Sequence, residues 1–205
     1  MATPTPSIST EGACGDPAFN IGDPFDGPWE WYFNESSVPA RYDTDEVLAV
    51  LQNSVTNITA AVNDCGLPDN VSARATYMGT TAATPCAGDF GDDTNVIGFG
   101  ETVGRRLDRA IAYACPYGAV DRPTVEADIL INIQVRFSLL EQVCGGRQEI
   151  LEATLTHEVG HVFGLGHVGE GRHGDLTMST RSNGPCTTEE ISLGLGDVLG
   201  LEALY

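Results

Sequence analysis

His157-Glu-Val-Gly-His161-Val-Phe-Gly164-Leu-Gly-His167 is the stretch of this 205-residue chain that leaves the fold least freedom. All four histidines of the chain lie in it or just beyond it, at His173. Residues four apart on a helix are neighbours on one face, about 6 Å apart along the axis, so His157 and His161 aim both imidazoles at a common point. A third ligand reaching that point from another direction needs the chain to reverse. Gly164 supplies the reversal, because glycine enters left-handed conformations without a Cβ penalty, and His167 follows on the returning segment. Three imidazoles at one point form a zinc ligand set, and a tetrahedral position left over for water marks a catalytic rather than a structural zinc. Glu158 is poorly aimed to join that set but can reach the water as general base, then protonate a leaving amine. From average residue usage, the five fixed positions arise by chance in a chain of this length with a probability on the order of 10⁻⁵.

The charge balance narrows the partners. The chain has 29 acidic against 10 basic residues, a formal net charge of -19, and no lysine, so it lacks the clustered cations that a phosphate backbone requires. An apolar fraction of 41% at this length supports one core, hence one domain plus an arm. Six cysteines without a C-x-x-C pair read as disulfides formed in an oxidising compartment, with fifteen connectivities open. The first residues lack the charged start and apolar run of a signal peptide, so the expectation is a secreted, mature chain from which an export signal and any propeptide have been removed. No stretch approaches the ~20 apolar residues of a membrane span.

Residues 1–28, rich in Pro, Gly, Thr and Asp, read as an extended arm. The run Trp29 to Val38 alternates as a strand, and Asp43 or Thr44 caps a helix running to a Cys65-Gly66 stop. Strands are expected at Val71–Tyr77, Val96–Phe99, Arg109–Ala114 and Ala127–Val135. A helix is expected over Gln148–Phe163, and a last one starting at Thr187 or Thr188 with two glutamates behind it. The order predicts a single α/β domain over 29–205 with a mixed sheet.

The pattern His157, Glu158, His161, Gly164 and His167 resembles the signature of the metzincin clan of zinc endopeptidases. Met178, in Leu-Thr-Met178-Ser-Thr, is similar to the clan's methionine in a turn beneath the zinc. Within the clan the likeness is to bacterial-type secreted matrixins, carried by Gly-Leu-Gly-His167, by Asp197-Val-Leu-Gly-Leu-Glu-Ala-Leu-Tyr205 and by the strand Ala127-Asp-Ile-Leu-Ile-Asn132. Val168 stands where matrixins usually carry Ser, and no Tyr follows two residues after Met178, so a tyrosine ligand is not expected. The resemblance implies an α+β fold with a twisted sheet, an antiparallel edge strand, the zinc helix beneath it, an upper lobe over 29–164 and a lower lobe over 165–205. It also implies a monomeric zinc endopeptidase that takes a peptide along the edge strand near residues 109–115. The alternatives are a catalytically silent binding protein on the same fold and a zinc hydrolase of a non-protein amide.

Weaker features complete the reading. Cys14-Gly-Asp-Pro17 resembles the cysteine switch of matrixin propeptides, but six cysteines pair evenly only if Cys14 is used, which favours a disulfide. A bridge between Cys144 and Cys186 would staple the site. His173 reads as a surface or supporting histidine rather than a fourth ligand. Asp89, Asp92, Asp93 and Asn95 offer oxygen ligands of the kind Ca²⁺ takes, and matrixin relatives use structural calcium. Without the regular loop spacing the cluster reads equally as a solvated turn. Sequons occur at Asn34, Asn57 and Asn70.

Overall fold

The N-terminal segment, expected as an extended arm, is tied to the body at several points in a computed structural model that describes residues 11–87, 91–102, 110–118 and 123–205. A 3₁₀ turn at Gly12–Gly15 precedes β1 (Asn20–Ile21), which pairs antiparallel with Leu165–Gly166. Cys14 is bridged to Cys65, which leaves no free thiol for a switch. Close approach of backbones seals this seam. A Cβ at Gly196 would sit 1.9 Å from the Ala18 carbonyl oxygen, so only glycine fits there.

Alternation writes β2 (Trp29–Phe33) directly, because Trp29, Trp31 and Phe33 face the core and Glu30 faces water. The expected continuation to Val38 instead turns into a 3₁₀ segment, Glu35–Ser37, held by Asn34 and Ser37. Asp43 caps α1 (Thr44–Thr59) by accepting the N–H groups of Asp45 and Glu46 at 3.0 and 3.1 Å. The helix stops before Cys65-Gly66. The Asn63 amide bonds the Ala61 carbonyl and accepts from Cys65 and Leu67, so a side-chain turn outcompetes helix propagation and Ala61 takes a left-handed φ of 42°.

Four more strands complete the main sheet: β3 (Ala75–Thr80), β4 (Asn95–Gly100), β5 (Ala112–Tyr117) and β6 (Glu126–Asn132). Their order is β3-β2-β4-β6-β5, with all neighbours parallel except β5, which runs antiparallel at the edge. Every residue of β6 is buried, as expected for a strand covered on both faces. Its polar members are satisfied: Asp128 accepts from Cys86 and Val96, and Glu126 from Asp92 and Asp93. The Cys86–Cys115 bridge fastens β5 to the loop ahead of β4. The expected strand at Arg109–Ala114 starts outside the described residues, and the described strand begins at Ala112.

Beyond the sheet come β7 (Phe137–Ser138), β8 (Glu149–Ile150), α2 (Leu151–Val162), β9 (Leu165–Gly166), the single turn α3 (Glu170–His173) and α4 (Leu195–Leu204). Leu151, Leu155, Val159 and Val162 of α2 join Val47, Leu51 and Ile58 of α1 and the inner face of the sheet in one core. Two buried polar contacts register the helices: the Asn57 amide donates to Thr156 Oγ1 and Glu152 Oε1, both at 3.1 Å. Asn57 and Asn34 are therefore buried, and of the three sequon asparagines only Asn70 is exposed. The last helix starts later than Thr187 or Thr188. Glu190 turns back to accept the Asn183 N–H, and α4 begins only where Asp197 can accept the Gly194 N–H. No helix of the described residues is long and apolar enough to cross a membrane.

Candidate metal centre

His157 and His161 leave α2 on its cleft-facing side, and the chain reverses at Gly164 with φ 88°, where the left-handed backbone is free only for glycine. A Cβ at this position would also meet the Asp23 carbonyl oxygen at 2.6 Å. The reversal sets two things at once. It places the Leu165 carbonyl 2.7 Å from His161 Nδ1, and it brings His167 Nε2 to 3.0 Å from the Nε2 atoms of both His157 and His161.

The second ligand orientation is fixed from below. His157 Nδ1 lies 2.7 Å from the Thr177 carbonyl oxygen. With Nδ1–H donated to a carbonyl in both His157 and His161, each Nε2 presents its lone pair to the shared point. Burial holds the pair neutral, lowering His157 to about 3 and His161 to about 4. Converging lone pairs repel one another and attract a cation, so this donor set fits a divalent metal ion held by three imidazole nitrogens. Among the described residues, this is the one group of His, Cys, Asp and Glu placed to hold a metal ion.

The turn under the imidazoles is built around Asp197. Its carboxylate accepts N–H groups from Thr177 at 3.0 Å, Met178 at 3.1 Å and Gly194 at 2.9 Å, and Thr177 in turn holds His157. Met178 is buried against Gly160, where a Cβ would come within 2.5 Å of its sulfur. A small residue between the two helical ligands thus lets the methionine fit beneath them. Asp197→Ala strips three backbone donors of their acceptor and should lower stability by about 2 to 3 kcal/mol, with Asp197→Asn losing less because the amide oxygen still accepts. Denaturant midpoints of the two variants against the parent check this.

Glu158 points to the other side of the helix from Met178. It is 8% exposed, its Oε2 accepts the Ala114 N–H of edge strand β5 at 2.9 Å, and burial pushes its carboxyl up to about 7. All three imidazoles and Glu158 line one cleft of about 610 Å³, bounded above by residues 110–114 and below by residues 179–184. The lower wall is fixed by the Cys144–Cys186 bridge.

Other residues singled out in the sequence lie elsewhere. His173 Nδ1 pairs with Asp16 at 2.7 Å and so anchors the N-terminal segment. Asn95 spends its amide on the Glu30 carbonyl and the Ala127 N–H as a link between strands, and Asp92 accepts from Thr94 in its own turn. Asp89 lies outside the described residues. Sequence reasoning missed Glu149, Ser179 and Glu190 as cleft residues, since all three stand outside the histidine pattern. Compared with known proteins, the chain matches no family model and no curated protein.

Proposed function

We propose that the protein is a zinc-dependent endopeptidase. One observation carries the reading: three Nε2 lone pairs converge on the floor of a cleft whose rim is an edge strand, with a buried carboxylate bonded to that same strand. Bound at the imidazoles, zinc supplies Lewis acidity toward a carbonyl oxygen and toward water. Glu158 takes the proton from the attacking water and delivers it to the amine that leaves, so no covalent intermediate with the protein is needed. Its bond to Ala114 keeps the carboxylate between the floor and the rim, where both proton positions fall within reach.

Strand β5 contributes binding. It pairs only with β6 among the described residues, so its outer edge can take an extended peptide as an added strand and lay the scissile bond over the imidazoles. The three disulfides fit an oxidising compartment, and hence a secreted enzyme acting on protein outside the cell. The reading agrees with the metzincin-like sequence pattern, which places the same residues in the same roles.

Incubation with casein separates the readings. Cleavage that a strong chelator stops and added Zn²⁺ restores is the expected result. Zinc bound without cleavage of casein would overturn the endopeptidase assignment in favour of a silent binding protein or a hydrolase of another amide.

A further inference from the structure

The cleft continues beyond the imidazoles to side chains that the hydrolytic chemistry does not use. Following α2 back toward its N-terminus, it passes Thr154 and reaches Glu149 in β8, eight residues before His157 and so roughly 12 Å or more away. Glu190 faces this end from the lower wall. Only 7% of Glu190 is exposed. Its Oε1 accepts the Asn183 N–H at 2.8 Å, and among the described residues no donor reaches Oε2. Glu149 Oε2 accepts only the neutral Ser182 hydroxyl, at 3.1 Å. Ser179 lines the same cleft, is 1% exposed, and its hydroxyl has no partner.

The charges here do not balance. Neither Glu149 nor Glu190 has a salt-bridge partner among the described residues, and Arg181 on the same wall is engaged on the surface by Glu170 at 3.2 Å. Burial, with Glu149 and Glu189 adding like charge, pushes the Glu190 carboxyl up to about 7. A buried carboxylate without a counter-charge is costly, and a cation brought in on a long flexible stem removes that cost. Arginine and lysine have such stems, and arginine's planar fork suits a carboxylate with a free oxygen.

We infer that this end of the cleft is a cation pocket that selects peptides carrying arginine or lysine next to the scissile bond, with Glu190 and Glu149 as its specificity determinants. The selection rests on the endopeptidase reading, while the pocket itself does not. A residue adjacent to the bond held over the imidazoles has its side chain directed along the cleft, and the distance to Glu190 and Glu149 requires one of the longest side chains. An acidic residue there meets two carboxylates and is rejected, so the pocket discriminates by repulsion as well as attraction.

Peptide pairs that differ only in arginine or its neutral isostere citrulline beside the cleaved bond test this in two ways. In hydrolysis, kcat/KM for the arginine peptide should exceed that for the citrulline peptide by about tenfold or more, and the ratio should fall toward one in Glu190→Gln. Gln keeps an acceptor for the Asn183 N–H, and Glu149→Gln provides an independent second variant. Because the readout is a ratio within one protein preparation, partial loss of folded protein cancels. In binding, calorimetry with the same peptides on zinc-loaded Glu158→Gln, alone and combined with Glu190→Gln, asks the question without turnover. Equal affinity of Glu158→Gln for both peptides overturns the pocket. Tighter binding of the arginine peptide with no hydrolysis of either by the parent keeps the pocket and overturns the endopeptidase reading.

Discussion

Glu158→Gln should retain the metal and lose hydrolysis by a factor of about 10³ or more. The amide has the size of the carboxylate and still offers an oxygen to the Ala114 N–H, so the wall of the cleft keeps its shape. What it loses is the ability to accept a proton from water at neutral pH. General base catalysis contributes roughly 10²- to 10⁴-fold, and here the same group also returns the proton to the amine. The loss should appear in kcat rather than in KM, because the edge strand and the pocket walls are unchanged. Metal content by elemental analysis should match the parent, since the ligand nitrogens belong to His157, His161 and His167. Full activity in this variant would remove Glu158 from the mechanism.

His161→Ala produces the opposite signature, loss of the metal first and of activity in consequence. Its imidazole is one of three ligands and the one whose orientation depends on the Leu165 carbonyl just past the chain reversal. Structural zinc in small peptides binds with about 10 to 16 kcal/mol, so removing one of three nitrogens costs several kcal/mol, or roughly 10²- to 10⁴-fold in affinity. Dialysis against a weak chelator followed by metal analysis should leave the parent loaded and the variant empty. Undiminished zinc in His161→Ala would refute the ligand set. The two variants together separate a group that holds the ion from one that handles protons.

The parts of the molecule that depend on local spacing were legible in the sequence. The convergence of the three histidines, the turn at Gly164 and the Asp43 cap each depend on a few consecutive residues, and α2 carries a regular apolar face. Among the bridges the sequence suggests only Cys144–Cys186, by two positions that flank the histidines, and leaves the connectivity as a whole open among fifteen pairings. What could not be read depended on partners distant in the chain. Glu189 and Glu190 behind two threonines look like a helix start, yet Glu190 is spent on Asn183 and the cleft, and α4 waits for Asp197. The N-terminal segment has no apolar period, so nothing in it announced that Cys14, Asp16 and Asn20 are held by Cys65, His173 and Gly166. An asparagine in a sequon and one in a helix interface look alike, and burial alone distinguishes Asn57 from Asn70.

The lower wall of the cleft is mostly irregular chain between α3 and α4, and its exposed positions, among them 180, 181, 183 and 185, are of the kind that proteases cut first. On the proposed endopeptidase function, neighbouring copies of the protein would meet that wall as a target. The Cys144–Cys186 bridge encloses α2, the turn under it and most of this wall in one covalent ring. A single cut inside the ring opens it without releasing a fragment: the histidines stay joined to the sheet by the peptide chain, and the part that carries α4 stays joined through sulfur. Self-inflicted nicks in this region would then be tolerated damage, visible on a gel only after reduction.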